Sequence, residues 1–407
     1  MWPTRCLRCS PLPFYALNIP LPGFVTTKGS HFALNGKPFY FAGTNAYWYT
    51  FLTNLSDTSL AMDKAKAAGH TVVRIWGFND KNATFDPNGL PQYSPDTDGI
   101  FFQSWHNGKP TINYGSNGLQ HLDRVISLAQ QKGLKLTVAL TNNWADYGGM
   151  DVFTTNLGGK FHDDFYTSPV IKIAFKNYVR TVVARHILSP AIFAWELGNE
   201  PRCGADGTRN LPRSPSGCNT TVLTNWAKEM SAFIKSIDPF HMVIVGSEGF
   251  FSVPGGSDDW AYAGSDGVDS EALLRIKTID AGTLHLYPDW WSKDPLVWAP
   301  QYIQAHGALQ RKLSKPVIME EYGWMTPEAR LSSLGISSNV SRLQALGLWQ
   351  NTSLAQRLAG DQYWQLGVDG LSFGLSTDDG FTIYMQNTTE SDPLIFEHVK
   401  RVQALNR

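Results

Sequence analysis

Along most of the chain, short runs of apolar and β-branched residues alternate with longer stretches whose apolar positions recur every three or four residues. This is the pattern of buried strands separated by amphipathic helices. Residues 23–45 read as a strand, a turn at Asn35-Gly36-Lys37-Pro38 and a second, buried strand opening at Phe39. A helix follows over 57–69, capped by Asp57 and stopped by Gly69, and then a strand over 71–76. Residues 79–116, rich in Asn, Asp, Gly and Pro, are expected as a long rim loop carrying a small hairpin over 100–112. Helices are then expected over 119–131, 170–186, 222–237, 302–313 and 343–358. They alternate with strands over 135–140, 192–197, 242–245, 278–286, 316–319 and 362–365. Eight strands separated by helical segments favour a single closed (β/α)8 TIM barrel over an open doubly wound sheet, with the opening hairpin plugging its bottom. The Gly-x-Gly-x-x-Gly fingerprint that would argue for a dinucleotide-binding sheet is missing. Neither an internal repeat nor a Ser/Thr/Pro-rich linker interrupts residues 24–407, which read as the one barrel domain.

Two of the predicted strands end unusually. Ile192 to Pro201 and Pro316 to Gly323 are apolar runs that break into carboxylates and then Pro or Gly. In a barrel, groups at the C-terminal strand ends meet at one rim. Those ends read, in order, Arg74; Asn142, Asn143 and Trp144; Asn199 and Glu200; Glu248; His285 and Tyr287; Glu321; and Trp364. A barrel needed only for its fold has no use for polar and aromatic groups at nearly every strand end, whereas two carboxylates in unequal environments are the minimum equipment for cleaving a glycosidic bond.

The 34 basic and 35 acidic residues leave a formal net charge of -1, which argues against nucleic acid or an anionic membrane as a partner. Aromatic residues make up 13% of the chain, with 14 Trp, and flat apolar rings suit the faces of a neutral sugar polymer. The Cys-x-x-Cys at Cys6 and Cys9 has no second pair to make a zinc or redox site with it. His and carboxylates never recur at zincin spacing, so neither metal nor other cofactor is implied. Asn-x-Ser/Thr acceptors stand at Asn54, Asn82, Asn219, Asn339, Asn351 and Asn387, and together they point to a secreted, extracellular glycoprotein. Residues 1–23 are expected as a poorly formed leader: Arg5 and Arg8 make a basic start, but Pro11, Pro13 and Pro20 interrupt the apolar run.

Taken together, Trp195-Glu-Leu-Gly-Asn-Glu200-Pro and Glu321-Tyr-Gly resemble glycoside hydrolase family 5, of clan A. Further segments are similar to its fungal endo-β-1,4-mannanase subfamily: Arg74-Ile-Trp76-Gly-Phe, Asn142-Asn143-Trp144-Ala-Asp-Tyr-Gly-Gly149, Asn199-Glu-Pro-Arg-Cys203, Gly282-Thr-Leu-His-Leu-Tyr287-Pro and Asp379-Gly-Phe-Thr-Ile-Tyr384. The resemblance runs from about Phe24 to the last helix and departs from the family at the N-terminus and between Cys203 and Cys218.

The resemblance implies a retaining endo-β-1,4-mannanase, acting as a monomer on mannan, glucomannan and galactomannan. Glu200 would be the general acid/base and Glu321 the nucleophile, their carboxyl groups about 5 to 5.5 Å apart. A general acid must hold its proton at working pH and a nucleophile must be ionised, so Glu200 is expected protonated and Glu321 anionic, kept so by Arg74 and Tyr287. By the same resemblance Asn199 contacts the sugar 2-hydroxyl, His285 neighbours Glu200, Trp144 and Trp364 are stacking platforms, and Arg202 binds sugar on the leaving-group side. Trp76, Asn143 and Glu248 join the binding or supporting set, although Glu248, like Glu196, also reads as a buried carboxylate satisfied by Arg. Glu320 rivals Glu321, since strand alternation sends the two to opposite faces; the family pattern places the nucleophile directly before the aromatic-Gly pair. A β-1,4-glucanase on the same barrel is the alternative enzyme, and a carbohydrate-binding protein without catalysis the alternative class. In a secreted chain, Cys203 and Cys218 flanking a Gly/Pro/Arg-rich segment are expected to form a disulfide.

Overall fold

The computed structural model describes residues 21–86, 99–207, 209–215 and 217–407. Residues 1–20, which hold most of the leader expected over 1–23 and include Cys6 and Cys9, lie outside the described residues. Eight short strands carry the fold: Phe41–Asn45 (β1), Val72–Trp76 (β2), Lys135–Ala139 (β3), Ile192–Glu196 (β4), Met242–Ile244 (β5), Gly282–Leu286 (β6), Val317–Tyr322 (β7) and Gly360–Tyr363 (β8). They form one all-parallel sheet in the order β5-β4-β3-β2-β1-β8-β7-β6. Its two ends are joined by a parallel bridge between Ile244 and Ala281, so the sheet closes into the expected barrel.

One helix after each strand covers the outside: Leu55–Ala67 (α1), Leu119–Lys132 (α2), Pro169–Arg185 (α3), Thr220–Ile237 (α4), Ser270–Arg275 (α5), Trp298–Leu313 (α6), Arg342–Gln356 (α7) and His398–Gln403 (α8). α2 shows why the periodicity was legible: Leu119, Leu122, Val125, Ile126 and Ala129 all face the barrel, and Gly133, at φ 73°, ends the helix in the left-handed conformation that glycine adopts without strain. α7 starts on a reciprocal capping box between Ser341 and Gln344. None of the described helices is long and apolar enough to cross a membrane.

Three details differ from expectation. The cap of α1 is Asn54, whose side chain accepts from the Ser56 N–H at 3.0 Å; Asp57 is instead buried and accepts from the backbone and hydroxyl of Ser372 at 2.9 and 2.5 Å. The opening segment is a three-stranded antiparallel sheet, Val25–Lys28, His31–Leu34 and Lys37–Phe39, because Gly29-Ser30 makes a further turn. It does plug the barrel: Phe32 meets Phe193 of β4 edge-on at 5.0 Å, within an apolar cluster that also holds Phe39, Phe41 and Ile318. Finally, β7 runs three residues beyond the predicted end, through Glu320 and Glu321 to Tyr322.

Candidate active site

All eight strands end on one open cleft of about 1000 Å³. In strand order its lining includes Tyr47, Trp76, Asn142 with Trp144, Asn199 with Glu200, Glu248, Tyr287, Glu321 and Trp364. Asp379, Phe381, Tyr147, Trp260, Trp290 and Trp291 extend the lining from the loops.

Arg74 organises the floor. Its guanidinium is fully buried and forks onto Glu196 of β4 through Nε and Nη2, both at 2.7 Å. Nη2 also donates to Asn199 Oδ1 at 2.7 Å, and Nη1 donates to Asn45 Oδ1 at 3.1 Å and to Glu321 Oε1. Tyr287 donates its hydroxyl to the other Glu321 oxygen at 2.7 Å. Both oxygens of Glu321 are therefore held by donors from different strands, the orientation expected of Arg74 and Tyr287. Glu196 is thus a buried carboxylate satisfied by Arg, as its sequence position suggests. Asn45 was not singled out, although it too stands at the end of a barrel strand.

The expectation that Glu320 and Glu321 face opposite sides is overturned. On the β6 side the register passes from Leu284↔Met319 to His285↔Glu321, and on the β8 side from Met319↔Asp361 to Tyr322↔Tyr363. Both neighbours therefore see one extra residue in β7 after Met319, a β-bulge that cancels the alternation. Glu320 and Glu321 both turn inward: Glu320 lies 3.5 Å from His285 Nε2 and 3.7 Å from Arg74 Nε, and Glu321 lies 3.6 Å from His285 Nδ1. Only Glu321 lines the cleft; Glu320 is fully buried behind it.

Glu200 is presented by a backbone in the left-handed region, φ 52°, a conformation that costs a non-glycine residue on the order of 1 kcal/mol. Backbone bonds from Asn199 to Thr141 at 2.9 Å and from Glu200 to Gly246 at 2.7 Å hold it there. Gly246 cannot carry a side chain, since a Cβ there would lie 2.3 Å from the Glu196 carboxylate. His285 Nδ1 stands 2.8 Å from Glu200 Oε1, and Trp144 Nε1 donates to Oε2 at 2.8 Å, so Trp144 holds the carboxylate as well as lining the cleft.

These contacts bear directly on the protonation of the pair. Burial pushes Glu200 up, but the hydrogen bond and charge of His285, the charge of Arg202 and the Trp144 bond outweigh it and bring the carboxyl down to about 2. For His285, burial alone would lower the imidazole; the Glu321 charge, the contacts with Glu200 and Glu320 and the Glu200 charge lift it to about 10. Burial raises Glu321, with His285 and Arg74 pulling it back. Both shifts favour the imidazolium–carboxylate form of the His285–Glu200 pair, whose members stand one hydrogen bond apart.

Selected ligand atoms of Glu200, His285 and Glu321 lie within 4.8 Å of one another. Glu200 and Glu321 therefore bring a carboxylate oxygen each to the same part of the cleft. A cation would also find three ligand atoms here. Arg74, already against Glu321, supplies the compensating positive charge and disfavours a second.

Arg202 forks onto Glu248, with Nε to Oε2 at 2.7 Å and Nη2 to Oε1, and its guanidinium lies over the rings of Trp144 and Phe250 at 5.3 and 5.5 Å. Asn143 is absent from the lining; its Oδ1 accepts from the Arg202 N–H at 3.1 Å and faces His162 Nε2 at 2.9 Å, so it braces the loop behind the cleft while Asn142 faces the cleft. Cys203 and Cys218 are bonded, as expected, across a separation of 15 residues; closing a loop of that length stabilises by about 3 kcal/mol.

Trp364 stacks face to face on Tyr47 at 5.2 Å and is pinned by its Nε1 donating to Asp379 Oδ2 at 2.7 Å. In the sequence Asp379 stands out only as the first residue of the Asp379-Gly-Phe-Thr-Ile-Tyr384 stretch. Trp364→Ala is expected to lower kcat/KM on the polymer by tenfold or more, the loss of a stacking surface, while Tm falls by only about 3 °C. Parallel kinetics and thermal melts check this, and a collapse of Tm would make Trp364 a packing residue.

The model of the family described as GH family 5 β-mannosidase-like matches residues 22–341. A probable mannan endo-1,4-β-mannosidase C of Aspergillus terreus is 54% identical over 388 residues, covering 95% of this chain and 93% of that protein. The mannan endo-1,4-β-mannosidase A of Aspergillus aculeatus is 40% identical over 392 residues, covering 96% and 93%. Among solved structures, the endo-1,4-β-mannanase from Rhizomucor miehei superposes with a TM-score of 0.80 at 39% identity, over 94% of this chain and 99% of that one.

Proposed function

The chain belongs to glycoside hydrolase family 5, in its β-mannosidase-like group, and from that premise we propose that it is a retaining endo-β-1,4-mannanase. It cuts internal bonds of mannan, glucomannan and galactomannan. The observation that carries this reading is the close pair Glu200 and Glu321 on the floor of an aromatic-lined cleft, in a chain most of whose length aligns with proteins named for that activity.

Glu321, held through both oxygens, attacks the anomeric carbon and forms a glycosyl ester as the bond to the leaving oxygen breaks. Glu200 protonates that oxygen with the proton relayed from His285 at 2.8 Å. Water then attacks the anomeric carbon as its bond to the Glu321 oxygen breaks, giving a proton to Glu200 and restoring the Glu321 carboxylate. Forming the ester removes the Glu321 charge, the largest influence lifting His285 against burial. Asn199, held by Arg74 and by a 3.0 Å bond to Asn142, turns towards the sugar 2-hydroxyl, and Trp364 underlies the sugar whose bond is broken. The mechanism calls on no cofactor.

The enzyme acts as a secreted monomer in this reading. Exposed acceptor sites at Asn54, Asn219, Asn339, Asn351 and Asn387 and the Cys203–Cys218 bridge both suit an oxidising, extracellular setting. Asn82 is buried with its amide donating to Asp80 O at 3.1 Å, so the folded chain has no room for a glycan there.

Reducing-end release from mannan, glucomannan, cellulose and xylan tests the proposal. Mannan and glucomannan cleaved with rapid loss of viscosity, and the β-anomer formed first by proton NMR, are the expected results. Faster release from cellulose would make it a β-glucanase, and binding without release a carbohydrate-binding protein.

A further inference from the structure

Glu320 is a buried carboxylate without a part in the double displacement. The bulge in β7 turns it inward, and Asn45 Nδ2 donates to its backbone oxygen at 2.9 Å, holding the bulge in place. Its side chain is fully buried, and no hydrogen-bond donor among the described residues reaches Oε1. Oε2 stands 3.5 Å from His285 Nε2, and the other nitrogen of that ring stands 2.8 Å from Glu200 Oε1. One imidazole thus bridges two carboxylates.

The charges around the ring come from every element packed on it. Arg74 of β2 forks onto Glu196 of β4, touches Glu321 of β7 and stands 3.7 Å from Glu320 Oε1; Arg202 pairs with Glu248 beyond β5 and its charge also reaches Glu200, and Tyr287, just past the end of β6, donates to Glu321. His285 stands between Glu200 and Glu320 and 3.6 Å from Glu321. A neutral imidazole has one N–H and would turn a lone pair towards one carboxylate, whereas the imidazolium donates to both.

We propose that Glu320 is a positioning residue for proton delivery: through Nε2 of His285 it keeps on the ring the proton that Nδ1 passes to Glu200 as the leaving-group bond breaks. The relay balances. The Nδ1–H bond breaks as Oε1–H forms on Glu200, that O–H breaks as the departing sugar oxygen gains its proton, and in the second step the proton from water returns through Glu200 to Nδ1. The inference rests on the retaining reading above, and its failure is separable from that of the reading, since wild-type enzyme tests the one and Glu320 variants the other.

Glu320→Gln keeps the shape and removes the charge. Its kcat on mannan is expected to fall by about tenfold to a hundredfold with KM unchanged, and the alkaline limb of its pH profile to move at least about one unit towards acid. An aryl mannoside with a leaving group that needs no proton keeps near wild-type turnover in its first step. Glu320→Asp, which restores the charge, is expected to move the limb part of the way back. Nitrogen NMR of histidine-labelled wild-type enzyme gives a readout that does not depend on the variants: the His285 signals should be those of an imidazolium at pH 7. A neutral His285 in wild type overturns the proposal, as does a Glu320→Gln enzyme with an unmoved alkaline limb or with equal losses on both substrates.

Discussion

Glu321→Ala is expected to lose turnover of mannan and of an activated aryl mannoside alike, on the order of 10⁵-fold, because no glycosyl ester forms without the nucleophile. Glu200→Ala separates the two substrates. On mannan, whose leaving oxygen needs a proton, the loss is about 10²- to 10⁴-fold, while an aryl mannoside that departs unaided still forms the ester. That ester then accumulates, because the base that activates water is gone. Azide, which needs no base, releases it as a β-linked mannosyl azide, whereas in Glu321→Ala azide can only enter from the nucleophile's side and gives the α-linked product. The geometry behind this division is the pair itself: Glu321 is gripped by Arg74 and Tyr287 at both oxygens, and Glu200 faces His285 at 2.8 Å. Mass spectrometry of the trapped ester and NMR of the azide products check it. A nucleophile-null pattern for Glu320→Ala in place of Glu321→Ala would overturn the assignment.

Arg74→Met is the change with the largest expected effect on stability. It leaves Glu196, at 0% exposure, and Glu321, at 3%, without their shared cation. Removing one partner of such a buried pair costs about 3 to 5 kcal/mol. Activity follows with a defined sign: burial raises Glu321 and Arg74 is one of the groups that pull it back, so without Arg74 the carboxyl ionises only at higher pH and the acid limb of kcat/KM moves up. Arg74→Lys is expected to recover part of the stability but little activity, since an ammonium cannot fork onto Glu196 while also reaching Glu321 and Asn199. Denaturant melts and pH profiles of both variants read this out, and an Arg74→Met enzyme of wild-type stability would show that the carboxylates simply take up protons at no cost.

Much of this molecule was legible from residues read in order. The eightfold alternation, the plug, and the polar and aromatic groups at strand ends are local patterns, because burial on one face of a helix or both faces of a strand shows directly in residue spacing. Glu200, Glu321 and Arg74 were visible as polar groups at strand ends, with roles implied by the resemblance to the family, and the Cys203–Cys218 pair as two cysteines flanking a Gly/Pro/Arg-rich segment. Only the tertiary structure decided three matters. Alternation along β7 is a property of a regular strand, but the bulge at Glu320 is set by pairing with β6 and β8, residues some 35 to 40 positions away, and a one-residue shift in register turns a side chain to the other face. Asn143 and Asn142 look equivalent in sequence, yet the loop closed by the disulfide claims the first and leaves the second in the cleft. The upward push on His285 is the sum of the fields of Glu200, Glu320 and Glu321, which stand on two different strand ends and meet at His285 on a third; a field summed over groups brought together only by closure of the barrel has no local signature in the chain.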